Sequence, residues 1–253
     1  MDLETAVTVM ITSFGNAALA GQRSPLPLDG TEEQELHFVC ANGDEIHGLT
    51  AWFDYLTATG CTQLCFGRVH EERHLAEADR SKLPKYGRRF IGTTYMDGRV
   101  EIWTRELVLI PKDERYPHGH YRFVFTAIPA LALPDAPTDT EQVVAKVLAA
   151  VDNAADLADS CQLLNFAACF RRARQALVDP SPPQPSRWLC PSAPEMALRL
   201  FTAADHAYVF GTIGSWNDVF IVGDLDYERV TSALSEAIGL ATTHAANLQP
   251  SLS

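Results

Sequence analysis

The chain predicts an α+β protein: an antiparallel β-meander with packed helices, then a mostly helical part containing one β-hairpin. Three observations predict it. Between residues 35 and 128, apolar and polar side chains alternate in short runs, the period-two signature of half-buried strands. Asp97-Gly98 separates two such runs, 89–96 and 99–110, and Asp-Gly closes tight type I′ hairpins. Past Pro134 the period becomes helical, with Val144, Val147, Leu148 and Val151 on one stripe.

The elements follow in order. Residues 1–20 are mostly small and apolar and predict a short helix or strand that docks on the domain. They end Ala18-Leu19-Ala20, like a signal-peptide cleavage site, but Asp2 and Glu4 stand where such a signal needs positive charge. Gln22 to Glu33 is a loop broken by Pro25, Pro27 and Gly30. Leu36, Phe38 and Cys40 alternate with Glu35 and His37 as a strand, and Asn42-Gly43-Asp44 turns the chain. Ile46, Leu49, Trp52, Phe53 and Leu56 recur at helical spacing until Gly60. Thr62 to Val69 is a second strand. The Asp97-Gly98 hairpin follows, then a polar loop from Pro111 to Gly119 and a strand from His120 to Ile128.

In the second part, Thr140-Glu141 opens a helix, and another helical stretch covers Leu157 to Val178. Residues 180–186, with four prolines, are an extended connector. Ser192-Ala-Pro-Glu195 reads as a capping box starting a helix to about Ala204. Ala207 to Ile213 and Val219 to Gly223 are strand-like around Gly214-Ser-Trp-Asn217, a hairpin tip. From Tyr227, Val230, Leu234, Ile238 and Ala241 share one face of a terminal helix. Two parts result, 1–134 with the sheet and 135–253 mostly helical with a connector at 179–191. The alternative is one composite domain, the second hairpin joining the first sheet.

Charge limits the function classes. The chain carries 20 basic and 32 acidic side chains, a net −12 spread evenly along it. Such a field repels phosphate backbones, which argues against nucleic acid and for a basic protein partner. The densest basic run, Arg80 to Arg89, spans ten residues and reads as a solvated loop. Six cysteines (Cys40, Cys61, Cys65, Cys161, Cys169, Cys190) are too sparse for a disulfide scaffold and lie mostly in apolar runs, as reduced thiols of a cytoplasmic protein do. No run approaches the ~20 apolar residues of a membrane helix. A homo-oligomer is compatible with the terminal helix and an unpaired sheet edge.

The sharpest chemical motif is His70-Glu71-Glu72-Arg73-His74, an H-E-x-x-H string. On a helix its two imidazoles share a face and can hold zinc, with Glu71 as general base on a zinc-bound water and Glu77, three residues on, as third ligand. Its middle positions are both charged and a strand runs straight into it, so residues 70–82 also read as a solvent-facing helix with i,i+4 charge partners. Cys61, Cys65, His70 and His74 resemble a zinc knuckle in compactness but depart from its spacing and its final ligand. His118-Gly119-His120 is a candidate ligand or base in a loop. Trp216 reads either as an exposed recognition element or, the favoured reading, as a turn residue folded back on the terminal helix. There is no G-x-S-x-G, P-loop or G-x-G-x-x-G. The expectation is therefore an acidic cytoplasmic interaction or regulatory protein, not an enzyme and without a cofactor. The alternative is a zinc-dependent hydrolase built on His70, Glu71, His74 and Glu77.

Overall fold

The structure is a computed structural model and describes residues 1–28, 35–68, 89–111, 120–133, 139–211, 215–219 and 225–248. It divides into two compact units, Phe14–Asp135 and a second made of Met1–Ser13 with Ala136–Ser253. Helix α1 (Leu3–Leu19) contributes to both and is buried on every face from Thr5 to Ala17. Its threonines reach burial by bonding their own backbone: Thr8 Oγ1 donates to Glu4 O at 2.8 Å and Thr12 Oγ1 to Thr8 O at 2.9 Å.

The sheet unit holds β1 (Leu36–Val39), β2 (Glu45–His47), α2 (Leu49–Ala58), β3 (Cys61–Arg68), β4 (Arg89–Tyr95), β5 (Val100–Ile110) and β6 (His120–Ala130). The strand order is β2-β1-β6-β5-β4-β3. The α+β class is as expected, with the meander intact, but the sheet is mixed because β1 runs parallel to β6. That register sets Leu36 beside Phe123 and Phe38 beside Phe125, so two apolar strands share a core face that a local pattern cannot pair. On this face Phe38 stacks on Phe125 at 5.1 Å and on Trp52 of α2 at 4.3 Å, while Trp103 meets Trp52 edge-on at 5.1 Å. The opposite face buries Cys65, Phe90, Ile102 and Ile128 under Ala130 and Leu133.

One local expectation in this unit is corrected. Ile46 lies in β2, not in the helix, because Gly48 at φ 88° breaks the chain and α2 starts at Leu49. The pattern saw Ile46, Leu49 and Leu56 at helical spacing only because strand and helix meet in phase.

The helical unit consists of the start of α1 with α3 (Thr140–Ser160), α4 (Leu164–Val178), α5 (Glu195–Ala207) and α6 (Leu225–Asn247). Each of α3 to α6 packs on two others, closing a ring α3-α4-α5-α6. Alanines line the contacts: Ala154, Ala158, Ala167, Ala173, Ala203, Ala204 and Ala241 are all fully buried, which lets the helices approach closely. Asp139 caps α3, accepting from Glu141 N at 3.0 Å and Gln142 N at 3.2 Å. The helix continues beyond Leu157 and breaks at Cys161–Leu163, where Gln162 takes φ 59°. The Ser192–Glu195 capping box does not form. Pro194 sits at the N-cap, Ser192 Oγ lies 3.2 Å from Cys190 Sγ, and Glu195 turns to Arg199. Where the second hairpin was expected, Tyr208 to Phe210 form no strand and Trp216–Asp218 is a 3₁₀ turn closed by Ser215 and Asp218; residues 220–224 lie outside the described residues.

Candidate functional site

His70, Glu71, His74 and Glu77 lie outside the described residues, as do His118 and Gly119, and of His120 only the backbone at the start of β6 is described. β3 ends at Arg68, two residues short of the H-E-x-x-H string. The knuckle reading loses its cysteines on other grounds. Between Cys61 and Gln63 the β3–β4 register slips by one residue, so Cys61 opposes Tyr95 while Cys65 opposes Gly92. This bulge puts the two thiols on opposite sheet faces, where regular alternation would give them one. Both are buried, and burial pushes each thiol up to about 11, away from the thiolate a metal needs.

Trp216 is fully buried in the helical unit. Its ring meets Phe166 and Phe170 edge-on at 5.3 and 5.2 Å and stacks on Tyr227 at 5.5 Å, and its Nε1–H donates to Thr231 Oγ1 at 2.8 Å. It pins the turn to α4 and α6, as the favoured reading expected.

Three polar constellations come from the fold. The first is buried in the sheet unit. Glu101, 4% exposed, accepts from Tyr95 Oη at 2.6 Å and from Arg99 Nη1 at 3.0 Å, and the Arg99 guanidinium lies 3.8 Å from the centre of the Tyr95 ring. Trp103 Nε1 donates to Thr93 Oγ1 at 3.2 Å in the same layer. Burial, reinforced by the bond to Glu101, raises the Tyr95 phenol well above its ordinary value. Tyr55 rises to about 12, first through burial and then through its hydrogen bond with Cys40. Every group here keeps its proton at neutral pH or is paired, so the cluster braces the sheet rather than offering an acid or base.

The second lies in the helical unit, where α4, α5 and the proline connector enclose a cleft of about 340 Å³. Arg199 forms its floor and is 6% exposed. All five of its N–H groups are used: Nε and Nη2 on Glu195 Oε1 at 2.9 and 2.6 Å, Nη2 also on Ser181 O at 2.8 Å, and Nη1 on Ala176 O at 3.3 Å and on Asp179 O. Asp179 is held below its usual value by the Ser181 backbone N–H and the Gln175 amide. His206 is pushed down by burial and by Arg172 nearby. Among the described residues no carboxylate pairs with Arg172, whose Nη2 lies 3.2 Å from Cys169 Sγ. Arg172 and His206 are basic groups of the cleft that stand outside the Arg199 network.

The third is on the outer hairpin. β1 and β2 pair with His37 directly opposite His47, and their facing ring nitrogens, His37 Nε2 and His47 Nδ1, stand 3.2 Å apart. Asn42-Gly43 turns this hairpin, with Cys40 N donating to Asp44 O at 2.8 Å and Gly43 at φ 90°. The turn is legible in the sequence; the pair is not, because Ile46 also fits the helical spacing of Leu49 to Leu56. Among the described residues no group of three or more histidine, cysteine or acidic side chains is arranged to hold a metal. No helix among them is long and apolar enough to cross a membrane. Comparison of the chain with protein-family models, with characterised proteins and with solved structures returned no match.

Proposed function

We propose that the chain is an acidic interaction protein of the cytoplasm that binds a basic protein partner through its helical unit. One observation carries this reading. The helical unit has 15 acidic against 7 basic side chains, and four of those cations are spent on ion pairs: Arg171 with Asp159, Arg174 with Asp152, Arg199 with Glu195 and Arg229 with Asp226. Glu141, Asp156, Glu228 and Glu236 remain exposed with no cationic partner among the described residues. An excess of this kind steers a basic surface into contact and is screened by salt. Six free thiols suit a reducing compartment. The test is capture from host lysate at low and moderate salt, beside a variant with Glu141→Gln, Asp156→Asn, Glu228→Gln and Glu236→Gln. A stoichiometric partner lost both on adding salt and in the variant supports the reading; a partner retained by the variant, or none at all, overturns it.

The second reading, a zinc-dependent hydrolase, rests on the H-E-x-x-H order of His70, Glu71 and His74 with Glu77 beyond. Metal analysis of untagged protein decides it. About one zinc per chain, lost in His74→Ala, is expected; wild-type protein that carries none and takes up none refutes it.

A further inference from the structure

We infer that His37 and His47 form a two-imidazole chelate for a late first-row divalent metal ion, of the copper and zinc class, on the exposed β1–β2 hairpin. The backbone register makes them direct cross-strand neighbours, with Phe38↔Ile46 and Val39↔Glu45 beyond. His47 Nδ1 and His37 Nε2 stand 3.2 Å apart, and the rings meet edge to face with centroids 4.2 Å apart at 81°. Two metal–imidazole bonds of about 2.0–2.1 Å span that gap at an angle of roughly 100° at the metal, between a square and a tetrahedral site. In the metal-free protein the two nitrogens share one proton, one ring donating and the other accepting. On metal binding the donating ring carries its proton on its other nitrogen instead, so that both rings stay neutral and both facing nitrogens give the ion a lone pair.

The surroundings fit the same assignment. The other nitrogen of His47, Nε2, lies 3.9 Å from Glu45 Oε2. That distance is too long for a hydrogen bond, but the negative charge of Glu45 on this side favours the proton on Nε2, which puts the lone pair of His47 on Nδ1, facing His37. The His47 and Glu45 side chains are 57% and 63% exposed, and β2 is an outermost strand of the described sheet, so the ion reaches His47 from solvent and water completes the coordination. Imidazole donors select copper, nickel and zinc over magnesium and calcium, and the affinity order puts copper first. No other pair of imidazoles described in the structure stands within hydrogen-bond distance.

The test is titration of untagged protein with Cu²⁺ alone, and separately with Zn²⁺ alone, followed by calorimetry and, for copper, by electron paramagnetic resonance. Wild type is compared with His37→Ala, His47→Ala and a His70→Ala/His74→Ala double variant, with circular dichroism as the check on folding. His37→Ala and His47→Ala should each lose one copper equivalent, together with the nitrogen splittings of one imidazole pair, and the double variant should keep both. Zinc should follow the same pattern more weakly. Copper uptake and spectrum unchanged in His37→Ala and His47→Ala, or a wild type that binds neither ion, overturns the assignment. Loss confined to the double variant overturns it too and points to the H-E-x-x-H string instead.

Discussion

Three buried side chains do work that no spacing rule announces. Asn16, at the end of α1, presents its amide to β3 as if it were another strand: Nδ2 donates to Leu64 O at 2.9 Å and Oδ1 accepts from Leu64 N at 2.8 Å. It seals an outer strand against pairing with another chain. Asn16→Ala orphans a buried donor and a buried acceptor, and should cost about 2–4 kcal/mol in denaturant unfolding, with earlier aggregation. Arg199 donates to three carbonyls of the α4 end and connector, those of Ala176, Asp179 and Ser181. Arg199→Lys keeps the charge but has one nitrogen where five directed donors were needed, so a loss of about 2–4 kcal/mol is expected by thermal or chemical unfolding. Cys65 supplies a pH dependence. Its folded thiol is raised to about 11 by burial, against an ordinary value near 9. The folded state therefore keeps the proton longer than the unfolded state, and this stability is whole below pH ~9 and lost as pH rises toward ~11. Unfolding curves between those pH values should show a decline that is shallower in Cys65→Ala, by up to about 2–3 kcal/mol. An equal decline in both would remove Cys65 as its source.

At the scale of elements, glycine positions record close packing. Gly67 of β3 faces Phe90 of β4, and a Cβ built there would come within 2.4 Å of the Phe90 ring, which is 1% exposed. Gly67→Ala should displace that ring and cost about 1–3 kcal/mol by calorimetry; an unchanged midpoint would mean the ring moves freely. The meander was legible from alternation and from Asp97-Gly98, since both are local properties of the chain. The β3 bulge was not: one extra residue between Cys61 and Gln63 is invisible to a period-two count, yet it reverses which face each thiol occupies. The Cys161–Leu163 break was missed because the apolar stripe runs on through it, with Ala154, Ala158 and Ala167 all buried on either side. The hairpin of His37 and His47 is half legible: its turn is plain, but Ile46 of its second strand fits the helical spacing of the residues that follow.

For the whole molecule, the net charge of −12 weighs on the compact state itself. Crowded carboxylates repel in the folded chain more than in the expanded one, so raising salt from about 0.01 to 0.15 M, which shortens the screening length to ~8 Å, should raise the thermal midpoint by a few degrees. A midpoint that falls would show that the ion pairs, not the repulsion, dominate.

Composition and periodicity alone determined the α+β class, the early meander, the helical second half and the acidic field, because burial period, turn chemistry and charge are written residue by residue. Only the tertiary structure decided the parallel β1–β6 pairing, the ring of four helices, the five-fold use of Arg199, the strand-like amide of Asn16 and the meeting of His37 with His47. All but the last join distant segments, and even the His37–His47 meeting depends on strand register, so the free energy that selects them belongs to the assembled structure rather than to the periodicity of any window of the chain.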